Sequence, residues 1–229
     1  MHCALVLASH GTHAPASHAC ARCTQTPPPL THCVAALDYT FPWDRLIQRF
    51  KFQGEVAWAP LFAQLMADAP GAATVLDSAD WWLPVPLSAH RLGDRGYNQS
   101  WELLKAVARR HMQSAHQDTH QDLSAHVDQR PTDPRRSGIP RRAHGDWLLK
   151  LADTPDQHHL DRRTRQANLQ SVFAVAPHAH ALLTRTTVLL VDDILTTGAT
   201  LHAVAHALKL AGVTQVNALV LARTPLAEP

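Results

Sequence analysis

The stretch from Val188 to Leu201, VLLVDDILTTGATL, constrains the architecture more than any other part of the chain. Val188 to Val191 is a short continuous apolar run, preceded by the strand formers Thr186 and Thr187. That is the pattern of a strand buried on both faces of a parallel sheet. Two adjacent acids, Asp192 and Asp193, come next, then Ile194 and Leu195, the turn Thr196-Thr197-Gly198-Ala199-Thr200, and an amphipathic helix. Strand, acid pair, small-residue turn and helix start, in that order, suit a sugar phosphate. The N–H groups of such a turn and of the helix N-terminus can hold a phosphate dianion. Gly198 lets the backbone approach that phosphate closely. Thr196, Thr197 and Thr200 supply hydroxyl donors, and acids at the strand end accept from a ribose diol. An ordinary strand-to-helix connection is the competing reading. It gives no packing reason for two carboxylates that repel one another, and a polar turn at the carboxyl edge of a parallel sheet usually faces a ligand.

A chain of 229 residues accommodates one α/β domain with an appendage. The formal net charge of +2 argues against a surface built for strong nucleic-acid binding. The 17 histidines are scattered, with no HExxH pair, and read as solvated. No run of about 18 apolar residues is present, so no transmembrane helix is expected. Met1 to Ala8 is apolar but short and lacks a basic start, which makes it a poor signal peptide. A cytoplasmic protein is expected.

All four cysteines, Cys3, Cys20, Cys23 and Cys33, fall in residues 1–33. Cys20-Ala-Arg-Cys23 has the spacing of half a zinc ribbon, and a reducing compartment favours metal over disulfide. Cys3 is a candidate third ligand; His2, His10, His13, His18, His32 and Cys33 are candidates for the fourth. An incomplete site that binds nothing is the alternative. Residues 34–39 read as a strand, Phe41-Pro42-Trp43-Asp44 as a helix start, and 55–68 as a second helix. Residues 80–87 read as a strand, followed by a loop from Ser88 to Gly96. Its His90, Arg91 and Arg95 can pair with phosphate or pyrophosphate oxygens, arginine bidentately. A helix opens near Asn98.

Residues 112–146 are polar, contain prolines and cannot bury a core, so a disordered surface insertion is expected. Its basic cluster, Arg130, Arg135, Arg136, Arg141 and Arg142, could touch nucleic acid, though a solvated loop is the better reading. Residues 162–169 have helical propensity and 171–175 form a strand. The helix after the turn buries Leu201, Val204, Ala205 and Leu208 and turns His202, His206 and Lys209 to solvent. Gly212 stops it, and 215–222 form the last strand.

The thirteen positions from Val188 to Thr200 resemble the 5-phosphoribosyl-1-pyrophosphate (PRPP) binding motif of type I phosphoribosyltransferases. Leu83-Pro-Val-Pro-Leu87, Arg95-Gly-Tyr-Asn-Gln99, Thr154-Pro-Asp-Gln157, Arg165-Gln-Ala-Asn168-Leu169 and Phe173 fall in the order seen in the ComF family, and Tyr39, Pro42 and Phe50-Lys51-Phe52 resemble its linker. That family comprises phosphoribosyltransferase-like proteins associated with bacterial competence and DNA uptake. The resemblance covers roughly residues 20–110 and 147–224.

The resemblance implies an α/β fold of the type I phosphoribosyltransferase kind. A parallel sheet flanked by helices would occupy 34–229, behind a partial zinc-ribbon-like segment at 1–33. It implies that Asp192 and Asp193 are the catalytic acids and hold the ribose hydroxyls, with Asp193 also steadying the cationic ring. Thr196, Thr197, Gly198, Ala199 and Thr200 would cradle the 5-phosphate, and Arg95 and Arg165 would face the pyrophosphate. Mg²⁺ would accompany PRPP, and Zn²⁺ would use Cys3, Cys20 and Cys23. Family members usually open with two Cys-x-x-Cys pairs, of which only one is intact here, and the 112–146 insertion lies outside the family pattern. The implied activity is PRPP binding with phosphoribosyl transfer, tied to DNA uptake or nucleotide metabolism. The alternative is a non-catalytic PRPP sensor or DNA-uptake accessory working with competence-machinery proteins or single-stranded DNA. No residue identifies the acceptor.

Overall fold

A strand with no polar alternation needs cover on both faces, and the two longest strands here have it. The computed structural model describes residues 23, 25, 27–121, 141–151 and 172–225, with backbone alone for 115–121. The strands are β1 (His32–Asp38), β2 (Trp81–Pro84), β3 (Leu148–Lys150), β4 (Phe173–Val175), β5 (Thr187–Leu195) and β6 (Gln215–Arg223). The helices are α1 (Trp43–Phe52), α2 (Ala59–Ala67), α3 (Ala72–Asp77), α4 (Ala89–Arg95), α5 (Gln99–Gln121), α6 (His180–Leu183) and α7 (Ala199–Leu210).

Four strands form a parallel sheet in the order β1-β6-β5-β2, and β3 pairs antiparallel with β4 in a separate ribbon. The central strands β5 and β6 are buried along almost their whole length. On one face Val188, Leu190, Val216, Ala218 and Val220 pack with Leu201, Val204 and Leu208 of α7 and with the β3–β4 ribbon. On the other, Leu189, Val191, Leu219 and Leu221 pack with Ile47 and Phe50 of α1, Phe62 and Met66 of α2, and Leu103, Leu104 and Val107 of α5. The expected α/β architecture, a parallel sheet between helical layers, is what the chain adopts.

Several local expectations are revised. The segment from Ser88 to Gly96 is not a loop but carries α4: Ser88 Oγ caps it by accepting from the Arg91 N–H, and Gly96 ends it at φ +75°. The helix expected over 55–68 splits into a 3₁₀ turn, Val56–Trp58, and α2, with Pro60 in the first turn where its missing N–H costs nothing. Within 112–146, α5 continues to Gln121, and at the far end Arg142 O accepts from Trp82 N while His144 N donates to Trp82 O. Arg142 therefore leaves the expected basic cluster: its guanidinium stacks 4.3 Å from the Trp82 ring centroid. Residues 122–140 lie outside the described residues, as does the helix expected over 162–169. No helix among the described residues is long and apolar enough to cross a membrane.

Candidate functional site

The carboxyl ends of β1, β2, β5 and β6 share one edge of the sheet, where open α/β sheets place their ligands. β5 does not stop at Val191. Its ladder with β6 continues through Asp192↔Val220 to Leu195↔Arg223, so both acids sit inside a strand. Neighbouring residues of a strand face opposite ways, and the two acids have different partners accordingly. Asp192 Oδ1 accepts from the hydroxyl of Ser100, in the first turn of α5, at 2.9 Å. Asp193 meets Lys51, in the last turn of α1, whose Nζ is 3.1 Å from each carboxylate oxygen. The side chains in that ion pair are 16% and 5% exposed.

Burial is the main reason the Asp192 carboxyl is pushed up from 3.8 to about 7. The neighbouring charge of Asp193 adds to the rise; the Ser100 hydroxyl, the Asp193 N–H and the Lys51 ammonium oppose it. The acid pair thus consists of one carboxyl held close to neutrality and one matched by a lysine.

Beyond Leu195 the chain makes the turn Thr196-Thr197-Gly198 and enters α7. Gly198 takes φ +81° at the N-cap, a conformation that side chains with a Cβ avoid. A Cβ there would also come within 3.1 Å of His202 Nε2, so His202 packs against the turn rather than standing free in solvent as its helix position suggests. Thr197 Oγ1 accepts from Ala199 N, whereas the N–H groups of Thr196, Thr197 and Gly198 make no hydrogen bond among the described residues. Asp192, Ile194, Leu195 and the run from Thr196 to Leu201 line a shallow hollow, open to solvent, with a volume of about 30 Å³. It has unused amide donors, three threonine hydroxyls and the positive end of a 12-residue helix. Such a hollow suits a phosphate dianion.

Residues far from the turn hold this arrangement. Tyr97 donates its hydroxyl to Phe50 O, the carbonyl next to Lys51. Asn98 Oδ1 caps α5 by accepting from Ser100 N and Trp101 N, while its amide donates to Val85 O past the end of β2. The Arg95-to-Gln99 motif is thereby the frame that delivers Ser100 to one acid and fixes α1, with Lys51, against the other. Arg95 itself stacks over the Phe52 ring at 4.7 Å from the centroid. Arg223, at the carboxyl end of β6, is buried and its Nε has no hydrogen-bond partner among the described residues.

Sequence reasoning placed Asp192, Asp193 and the residues 196–200 together; Asp192 and 196–200 share the hollow, whereas Asp193 turns to Lys51 and is not part of its lining. It did not find Lys51 or Ser100 as partners of the acids. The only signals for them were their places within Phe50-Lys51-Phe52 and just after Arg95-Gly-Tyr-Asn-Gln99. Arg165, Cys3 and Cys20 lie outside the described residues; Cys23 is buried. No cluster of three or more His, Cys, Asp or Glu side chains able to hold a metal ion occurs among the described residues.

Comparison with known proteins agrees with this geometry. The model of the phosphoribosyl transferase domain matches residues 153–228, the part of the chain that contains β5, the turn, α7 and β6. Competence protein F of Haemophilus influenzae (strain Rd) is 30% identical over 225 residues, covering 97% of this chain and 83% of its own. The chain belongs to the ComF family. The DNA utilization protein YhgH of Escherichia coli (strain K12) is 30% identical over 221 residues, covering 92% of this chain and 81% of its own. The same-named protein of Salmonella typhimurium is 29% identical over 216 residues, with the same coverage. The similarity to each of these relatives extends over more than nine-tenths of this chain, not the turn alone.

Proposed function

We propose that this ComF-family protein binds PRPP at the carboxyl edge of its sheet and presents it for phosphoribosyl transfer. The observation that carries the reading is the hollow behind Asp192, where unused amides, threonine hydroxyls and a helix N-terminus converge. In the proposed complex the 5-phosphate occupies that hollow. The ribose hydroxyls donate to Asp192 and Asp193. Mg²⁺ arrives bound to the pyrophosphate oxygens and water, needing few protein ligands.

Transfer of phosphoribose breaks the bond between C1 and pyrophosphate and forms one from C1 to a nitrogen nucleophile. Positive charge builds on the ring as the leaving group departs. A carboxylate beneath the ring opposes that charge, so the protein's share of catalysis is placement of charge. Asp193 supplies the carboxylate, and Asp192, held closer to neutrality, fixes the diol.

The names of the relatives, competence and DNA utilization, support a physiological role linked to DNA uptake. A non-catalytic PRPP sensor acting with uptake proteins or single-stranded DNA is the second reading, motivated by those same names. Isothermal titration with Mg-PRPP against the wild type and Asp193→Asn tests the binding. A heat for the wild type that weakens at least about tenfold in the variant is expected, and identical heats overturn the reading. Pyrophosphate release against a panel of nucleobases and amines then separates the two roles: turnover marks a transferase, binding without turnover a sensor.

A further inference from the structure

We propose that Lys51 is the specificity residue of the sugar-phosphate site, exchanging its contact with Asp193 for an anionic group on C1 of the bound pentose. The inference rests on the reading of the site given above and names the feature of the ligand that the site selects.

The argument starts from the uneven treatment of Asp193. Its Oδ1 accepts from Ile194 N at 2.6 Å and from Lys51 Nζ at 3.1 Å. Its Oδ2 is equally close to Nζ but takes no hydrogen bond among the described residues, although it is fully buried. A buried carboxylate oxygen without a donor is costly. A hydroxyl is the neutral donor that answers this deficit without adding charge.

Lysine carries three N–H donors and no acceptor. Asp193 Oδ1 uses one of them, and no other hydrogen bond from Nζ occurs among the described residues. Once a sugar hydroxyl donates to Asp193, the ammonium has donors to spare beside the sugar. In ribose the 2,3-diol is flanked by C4, which carries the 5-phosphate arm, and by C1; with the 5-phosphate in the hollow, C1 lies on the side of the diol away from it, and a phosphoryl group there is the one that Lys51 is proposed to meet. A sugar bearing only a 5-phosphate offers this ammonium a neutral C1 hydroxyl and no anion. The cation therefore distinguishes PRPP from ribose 5-phosphate, while the hollow at Thr196–Thr200 treats their shared phosphate alike.

The position of Lys51 is set by α1 rather than by the strand it serves. Phe50, its neighbour, is buried among α2 and α5, and Tyr97 holds the Phe50 carbonyl. The long lysine stem lets Nζ move while its backbone stays fixed. Arg95 and Arg165 were the cations expected at this end of the ligand. Arg95 faces the Phe52 ring, and among the described residues Lys51 is the cation in contact with the acid pair.

The test is a pair of titrations, Mg-PRPP and ribose 5-phosphate, on wild type, Lys51→Arg and Lys51→Met, with thermal melts alongside. The wild type should prefer PRPP. Lys51→Met should lose about tenfold or more in PRPP affinity and only about two- to threefold in ribose 5-phosphate affinity, and Lys51→Arg should keep most of the preference. Equal losses for the two ligands would make Lys51 a structural counter-ion and overturn the inference; so would no loss at all. Should Lys51→Met fail to fold because it strands a buried acid, the double variant Lys51→Met/Asp193→Asn removes both charges together. Compared with Asp193→Asn alone, the double variant should lose whatever preference for PRPP remains, and an unchanged preference overturns the proposal. A wild type that binds neither ligand overturns the sugar-phosphate reading itself. A wild type that binds both without preference overturns only the role given to Lys51.

Discussion

Replacing Asp192 by Asn should stabilise the protein, and by an amount that grows with pH. The Asn side chain keeps the shape and the Oδ1 that accepts from Ser100 and from Asp193 N, but it has no charge to desolvate. In the folded wild type the carboxyl titrates at about 7 instead of 3.8, so the native state holds a proton that the unfolded chain has already released. Between those values the unfolded state binds fewer protons, and stability falls as pH rises. At about 1.4 kcal/mol per tenfold change in proton affinity, the full interval amounts to about 4 kcal/mol, most of it expressed by pH 8 and a minority by pH 5. The stability gap between Asp192→Asn and wild type should therefore widen by about 3 kcal/mol between pH 5 and pH 8. Denaturant unfolding of both proteins at the two pH values measures it. The reasoning about burial is refuted if the gap is constant, or if it narrows toward pH 8. PRPP affinity supplies an independent check: if Asp192 holds the diol, the more stable variant is also the weaker binder.

Other outcomes follow from the same contacts. Gly198→Ala should lower stability by about 1–2 kcal/mol, from the φ +81° backbone and the 3.1 Å approach of His202, and should weaken inorganic phosphate binding. Unchanged melting and phosphate titration would count against the turn as the phosphate cradle. Ser100→Ala removes a donor that lowers the Asp192 pKa, so the carboxyl midpoint should move further up, by roughly one pH unit. Carboxyl ¹³C NMR titration reads that midpoint directly, and a static value would mean that the 2.9 Å contact is not maintained in solution.

Much of this was legible in the chain because it rests on local pattern. The apolar runs of β5 and β6 announce doubly covered strands, and the small polar turn between β5 and α7 announces an anion site. Other features are set by partners distant in sequence. Nothing local tells Asp192 and Asp193 to remain in the strand; the ladder to β6 imposes it and sends the two acids to different neighbours. Lys51 reaches Asp193 across 142 residues, a contact decided by how α1 packs. The helix α4 was obscured by Gly93 and by its polar face. Ser88 before it and Gly96 after it are ordinary cap residues whose spacing was there to be read.

The geometry of α5 has a consequence for how the chain can meet other molecules. Its first turn touches Asp192 through Ser100, and it runs unbroken for 23 residues, about 33 Å at 1.5 Å per residue. Gln121, its last residue, is thus held a full helix length from Ser100 and the acid pair. A molecule that gripped the far end of α5 would leave the hollow open, and would reach Asp192 along a helix whose other end carries a single hydroxyl.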